Sequence, residues 1–314
     1  MGVRRIASIG ECMIELNQRD AATLALAYGG DTLNTAIYLA RINTRERVAI
    51  DYVTALGDDP YSEAMIEMWQ REGVGTDNVA RLEGKLPGLY LIRVDDKGER
   101  RFFYYRSAAA ARELFRDEAT AAQLAALRGY DLLYFSAITL SILSETARER
   151  FLAALQAVRA AGGKIAFDSN FRPAGWPDLA VTRQVFEQFL RCVDIALPTF
   201  EDEQKLYGDR APAETVARYA ASGVGEIVVK LGPDGCLLRA EGEDALIPIP
   251  RPVAVIDTTA AGDAFNAAYL SARIAGHSAA RAACAGHALA GTVIQHRGAI
   301  IPREKMPDLG LAQP

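Results

Sequence analysis

Short apolar runs alternate along this chain with stretches whose apolar positions recur at helical spacing. From Tyr130 onward the rhythm is regular, and Leu132–Ser136, Lys164–Asp168, Asp194–Pro198 and Glu226–Lys230 read as strands. Between them, Ser144–Ala161, Leu179–Arg191, Glu201–Tyr207 and Ala213–Ser222 read as helices. Such alternation predicts right-handed βαβ units and a mostly parallel sheet covered on both faces. Earlier, Arg4–Ile9 and Val48–Leu56 read as buried strands, Cys12–Leu16 as a strand leaving the first, and Pro60–Glu72 as an amphipathic helix. Asp31 is the expected N-cap of a helix over Thr32–Ile42. Gly235–Arg239 and Ala245–Ile249 predict a hairpin at a sheet edge, and the tail after Pro307 is expected to be loose.

One segment breaks the rhythm. Gly88–Val94 and Glu99–Arg106 are rich in β-formers and flank the Gly-containing turn Asp95–Gly98, which predicts a β-hairpin. Both faces of this hairpin are aromatic or aliphatic. It is therefore placed outside the main sheet, together with residues 11–28. The α/β domain then comprises residues 1–10, 29–85 and 108–314, and the small β unit residues 11–28 and 86–107. One apolar face can cover a substrate while the other needs a partner. A hairpin packed on its own domain would satisfy the same pattern.

Composition narrows the function more than the fold. The 314 residues are half hydrophobic and 24% charged, as in ordinary globular proteins. A net charge of −5 argues against nucleic-acid and membrane-surface partners, which select a basic face. The N-terminal apolar run is too short for a signal peptide, and no run reaches the length of a membrane span. Cys12, Cys192, Cys236 and Cys284 show no metal-ligand or redox spacing, and a cytoplasmic location is expected. His277, His287 and His296 are unclustered and receive no role.

The candidate chemistry centres on Asp257-Thr258-Thr259-Ala260-Ala261-Gly262-Asp263, which runs straight into a helical pattern. The first amides of a helix lack internal partners and carry the positive end of its dipole, which suits phosphate oxygens. Asp263 inside such an anion site fits a base that takes a proton from an attacking alcohol. It equally fits an acid favoured at a helix start by the dipole. Gly29-Gly30 permits close approach of a ligand or merely hinges the chain into the next helix. No Gly-x-x-x-x-Gly-Lys-[Ser/Thr] loop is present. The first strand leads into Gly-Glu-Cys-Met, without the Gly-x-Gly-x-x-Gly turn of dinucleotide-binding folds.

Two segments in order bear on these alternatives. Asp257-Thr258-Thr259-x-Ala261-Gly262-Asp263 resembles the C-terminal signature of the ribokinase-like (PfkB-type) carbohydrate kinases, and Gly29-Gly30-Asp31-Thr32-Leu33-Asn34-Thr35-Ala36 their N-terminal signature. Gly10–Leu16, Leu86–Tyr90, Phe103–Arg106 and Arg297–Arg303 resemble the members that act on a 2-keto-3-deoxy sugar acid. The resemblance implies a three-layer α/β/α fold with a small β-sheet lid. It implies ATP and Mg²⁺ as cofactors, a sugar-acid substrate, and a homodimer through the lid or a higher homo-oligomer. A kinase for a neutral sugar such as fructose or ribose is the alternative. A sugar sensor without turnover is a further one, against which Asp263 stands, since a sensor needs no base.

Residue by residue, the resemblance makes Asp263 the base and Ala260, Ala261 and Gly262 the amide-bearing turn. It assigns sugar contacts to Gly30, Asp31, Thr32, Leu33 and Asn34, and to Tyr90, Tyr104, Tyr105 and Arg106 of the hairpin. Arg106 is expected on the face of Phe102 and Tyr104, as partner of the substrate carboxylate, with Arg172 competing for that role. Asn170 and Arg172 would touch phosphates, and Lys230-Leu231-Gly232-Pro233-Asp234-Gly235 would edge the nucleotide. The family commonly has Gly where this chain has Ala260; Ala keeps the amide but restricts the turn, so the anion site is expected to survive provided φ there is negative. Thr199-x-x-Asp202 stands where the family tends to carry Asn-x-x-Glu. This leaves Asp202 as the metal candidate, acting through water.

Overall fold

The computed structural model describes residues 3–20, 22–94 and 100–311, so the expected turn Asp95–Gly98 lies outside the described residues. In chain order the elements begin β1 (Arg4–Ile9), β2 (Met13–Gln18), β3 (Leu24–Gly29), α1 (Asp31–Ile42), β4 (Val48–Leu56) and α2 (Pro60–Arg71). There follow β5 (Val79–Arg81), β6 (Gly88–Val94), β7 (Arg100–Tyr105), α3 (Ala121–Ala126), β8 (Leu132–Ser136), α4 (Ala137–Ile142), α5 (Glu145–Ala160) and β9 (Lys164–Asp168). Next come α6 (Leu179–Leu190), β10 (Ile195–Ala196), α7 (Phe200–Tyr207), α8 (Pro212–Ala221) and β11 (Glu226–Lys230). The chain ends with β12 (Cys236–Ala240), β13 (Glu243–Ile247), α9 (Ala261–Ile274) and α10 (Ala279–Val293).

Nine strands form one sheet in the order β13-β12-β11-β10-β9-β8-β1-β4-β5. Strands from β11 through β5 pair in parallel, and β12 and β13 add the antiparallel edge hairpin. Period-two alternation sends successive residues to opposite faces. Ile6 joins one hydrophobic cluster, with Leu33 of α1, Trp69 of α2, Tyr269 of α9 and Leu289 of α10. Its neighbour Ala7 joins the other, with Phe151 of α5, Phe186 of α6 and Tyr219 of α8. Helices therefore cover both faces, giving the three layers.

A separate four-stranded sheet has the order β3-β2-β6-β7. Its register sets Tyr90 opposite Tyr104 and Ile92 opposite Phe102, so these four share a face. Leu89, Leu91, Phe103 and Tyr105 share the other, with Ile14, Leu16, Leu26 and Tyr28. Phe102, Phe103, Tyr104 and Tyr105 are all exposed.

Three expectations need correction. Asp31 is the first residue of α1 rather than its cap, and the cap position is Gly30 with no side-chain hydrogen bond. The Asp31 carboxylate instead accepts from Asn170. The strand expected over Asp194–Pro198 contracts to two residues. The tail is tied down, since Leu309 is buried and its carbonyl accepts from Arg281 at 2.7 Å. The helix α10 has no counterpart among the expected elements.

Candidate active site

Two strand ends and two helix starts converge. β9 ends at Asp168 and β11 at Lys230, while α1 and α9 begin at Asp31 and Ala261. Parallel sheets place their ligand-binding crevice at these carboxyl ends. Asn34 on α1 donates from Nδ2 to Asp263 Oδ2 at 2.8 Å, while its own Oδ1 is buried with no partner. Asn170 donates to Asp31 Oδ2 at 2.6 Å. Lys230 Nζ lies 3.2 Å from Asp168 Oδ1 and 3.1 Å from Asn266 Oδ1. Asn266 donates in turn to Asp168 Oδ2 at 2.8 Å and to Tyr134 Oη at 3.0 Å.

Three carboxylates thus meet with one ammonium. Burial pushes the Asp263 carboxyl up to about 8, and the nearby Asp31 and Asp168 charges push the same way. The Asn34 hydrogen bond and the Lys230 charge oppose that rise. A carboxyl poised near neutrality within a crevice suits a proton acceptor.

The turn before α9 is pinned by Asp257, whose Oδ1 accepts from the Thr259 amide at 3.0 Å and whose Oδ2 accepts from the Gly298 amide at 2.9 Å. Ala260 follows with φ 59° and ψ 15°, in the left-handed region. The condition of a negative φ is therefore not met, and the turn forms in the left-handed region instead. The chain must reverse hand to enter α9, and Ala accepts a strain of about 1–2 kcal/mol that Gly would avoid. The Ala261 amide is used by Thr258 O at 3.2 Å and the Ala264 amide by Ala260 O at 2.9 Å. Those of Gly262 and Asp263 have no backbone acceptor among the described residues. A left-handed residue followed by helical ones forms an anion-binding concavity of such amides. Lys230 Nζ would lie 3.5 Å from a Cβ built on Gly262, so the ammonium borders the same concavity.

Other expected residues divide. Gly30 is required for close approach, because a Cβ there would sit 2.1 Å from Glu11 O. Thr32 and Leu33 are fully buried and turned inward: Thr32 Oγ1 meets Tyr52 Oη at 3.1 Å, and Leu33 packs in the core. Their side chains are not available to a sugar. Leu231 to Gly235 form a turn that is exposed at Gly232, Pro233 and Asp234 and closed by the Leu231 amide donating to Gly235 O at 2.8 Å, whereas Lys230 is buried. Arg172 donates to Phe171 O at 3.0 Å and pairs with Asp202 at 3.4 Å. Asp202 also accepts from the Phe171 amide at 3.2 Å. Among the described residues no group of three acidic, His or Cys side chains could hold a metal.

On the second sheet, Tyr90 donates to Glu15, and its ring lies 5.8 Å from that of Tyr104. Tyr105 faces the opposite way. Arg106 pairs with Glu11, a carboxylate that is almost wholly buried. Sequence reasoning gave no role to Asp168, Asn266, Glu11 or Glu15, although Asp168 stands at the carboxyl end of a strand. The signal for Asn266 was its place three residues after Asp263, on the same helix face.

Comparison with known proteins gives this arrangement its context. The family model described as pfkB family carbohydrate kinase matches residues 3–306. The chain belongs to that family. The 2-dehydro-3-deoxygluconokinase of Dickeya dadantii is 48% identical over 98% of this chain and 100% of its own. The Escherichia coli enzyme of that name is 48% identical over 97% of this chain and 99% of its own. The Escherichia coli protein termed ribokinase II, solved with ATP and Mg²⁺, superposes with a TM-score of 0.82 at 22% identity, covering 98% of this chain and 97% of its own. That likeness concerns the fold. For a carbohydrate kinase of the pfkB family the crevice has a direct reading. Asp263 accepts from Asn34, the same side chain whose orphaned Oδ1 suits a hydroxyl, and the adjoining amides suit a phosphoryl group.

Proposed function

We propose that the protein transfers the γ-phosphoryl group of ATP to the terminal (C6) hydroxyl of 2-keto-3-deoxygluconate, giving 2-keto-3-deoxy-6-phosphogluconate. The two relatives at 48% identity support the substrate. The observation that carries the chemistry is the buried Asn34–Asp263 pair at 2.8 Å beside the unpartnered amides of Gly262 and Asp263. Asn34 Oδ1 accepts from a sugar hydroxyl and holds it against Asp263. Asp263 takes the hydroxyl proton as the oxygen attacks phosphorus. The two amides and Lys230 neutralise charge on the transferring oxygens, a contribution typically worth a few kcal/mol per donor.

The concavity of unpartnered amides with its adjoining ammonium fits ATP as phosphoryl donor. The exposed turn Leu231–Gly235 edges the nucleotide, and Asn170 and Arg172 stand at the phosphates. Mg²⁺ keeps several waters and uses few protein ligands, so it needs no all-protein cage. It would supply further charge neutralisation. Asp202, already engaged by Arg172, would hold it through water.

The second sheet acts as a lid formed by residues 11–28 and 86–107, and its exposed aromatic rows support a homodimer through that sheet. Light scattering at micromolar concentration tests the dimer, and a monomer refutes it. A cytoplasmic location agrees with four unpaired cysteines, three of them buried. Among the described residues no helix is long and apolar enough to cross a membrane.

A coupled ADP-release assay across keto-acids and neutral sugars tests the function. Preference for the keto-acid is expected. Preference for fructose or ribose would transfer the assignment to a neutral-sugar kinase, and absence of ADP release with every acceptor would remove the enzyme.

A further inference from the structure

Beneath the crevice three side chains close a ring of hydrogen bonds. Lys230 Nζ donates to Asp168 Oδ1 at 3.2 Å and to Asn266 Oδ1 at 3.1 Å, and Asn266 Nδ2 donates to Asp168 Oδ2 at 2.8 Å. All three residues are buried, and Asn266 has no exposed surface at all. Its second amide proton goes to Tyr134 Oη at 3.0 Å, which also accepts from Thr35 Oγ1 of α1 at 3.3 Å. Both donors of the Asn266 amide and its oxygen are thus engaged. The amide fits only one way round. Turned over, its NH₂ group would face the Lys230 ammonium and its oxygen the Asp168 carboxylate, setting donor against donor and acceptor against acceptor.

Asp168 alone would not fix the ammonium. A lysine head is a compact charge on a flexible four-carbon stem, and with one carboxylate partner it can swing about that partner. A second acceptor, carried by α9, gives Nζ two anchors. Two of its three N–H bonds are then committed, and the third is left for a ligand. The ammonium borders the amide concavity, since it would lie 3.5 Å from a Cβ built on Gly262. Asn266 stands three residues after Asp263, so one helix face carries both the base and the anchor. The anchor also has to be neutral. Asp31 and Asp168 already push the Asp263 carboxyl up, and a fourth carboxylate in the crevice would push it further.

We infer that Asn266 is a positioning residue for phosphoryl transfer, its side-chain oxygen aiming the Lys230 ammonium at the transferring phosphoryl group. The inference rests on the kinase reading above and adds to it a residue sealed from both substrates, which acts only through Lys230.

The test is a double-mutant cycle of Asn266→Leu and Lys230→Met, followed by ADP release at saturating ATP with 2-keto-3-deoxygluconate as acceptor. Leu keeps the branched shape of the side chain and removes all three of its hydrogen bonds. Alone, Asn266→Leu should lower kcat about 10- to 100-fold and leave KM for the acceptor within about threefold, because the lost contact is one made to the transition state. In the Lys230→Met background the same substitution should lower kcat by less than about threefold, since the ammonium it aims is gone. A residue that merely supports the fold would lower kcat by the same factor in both backgrounds. Thermal melts of each protein follow the fold. If Asn266→Leu does not fold, Asn266→Ser takes its place in the cycle, its smaller side chain leaving room for a water. Equal factors in the two backgrounds would overturn the inference, as would an unchanged kcat for the single variant or a loss confined to KM. A parent protein that releases no ADP with any acceptor would instead overturn the kinase reading, and the inference with it.

Discussion

Replacing Asp263 by Asn should give an enzyme that is slower and more stable at once. The amide oxygen can still accept from Asn34 Nδ2, which now lies 2.8 Å from Asp263 Oδ2, so the local geometry is retained. Proton acceptance is lost, and kcat should fall by about two to four orders of magnitude, with sugar binding changed far less. The stability gain follows from linkage. Folding raises the Asp263 carboxyl from 3.8 to about 8, chiefly by burial and then by Asp31. The folded protein therefore binds a proton that the unfolded chain releases. The contribution is fully present below the unfolded value and is lost as pH rises through about 8. At ~1.4 kcal/mol per unit, the roughly three units between the unfolded value and pH 7 bound the loss at about 4 kcal/mol. Sharing of protons among Asp31, Asp168 and Asp263 reduces it, and about 1–3 kcal/mol is the expected gain for the variant. That corresponds to a Tm higher by about 1.5 °C for each kcal/mol in a chain of this length. Calorimetric melts of both proteins between pH 5 and 8.5 should diverge as pH rises, with the parent falling. Near-native turnover would remove Asp263 from the chemistry. A variant less stable than the parent at pH 8 would show that the carboxylate is not crowded as described.

Three further outcomes are expected. At the left-handed position 260, Ala260→Gly should change stability by less than about 0.5 kcal/mol, because relief of strain offsets the entropy of a freer unfolded chain. Ala260→Val should lose about 2 kcal/mol or more in urea denaturation, since a β-branched residue fits that region poorly. For Lys230→Met, the acid limb of kcat/KM should move to higher pH, because Lys230 holds the Asp263 carboxyl down; an unmoved limb in the pH profile would refute the pairing. Arg106→Ala leaves Glu11 buried without a partner and should destabilise by about 3–5 kcal/mol, read as a lower urea midpoint, with the loss shrinking at acidic pH as Glu11 protonates.

The layered fold was legible because its signal is periodic. Each strand of the parallel sheet is a short apolar run, and each must bury both faces, so the runs at 132–136, 164–168 and 226–230 announce themselves. Where tertiary contacts carry the element, the reading fails. β10 retains two residues because its pairing to β9 and β11 is that short. The helix α10 is built largely from Ala and Gly, which pack closely against α9 yet give no contrast between faces. Its helical propensity was readable, and its amphipathic pattern was not.

The site was legible to a different depth. Asp263 and Asn34 lie in the two signatures and meet in the fold, 229 residues apart in sequence. The countercharges were not readable, because a charge's effect depends on which neighbour the fold delivers to it. Arg106 sits in a motif that invites the role of carboxylate reader, yet Glu11 approaches from 95 residues away and occupies it. The same reasoning applies to Ala260: composition alone suggests an unstrained amide, while the direction of entry into α9 imposes a positive φ. In each case residue type sets the available chemistry, and the long-range pairing decides whether that chemistry is free to act on a ligand.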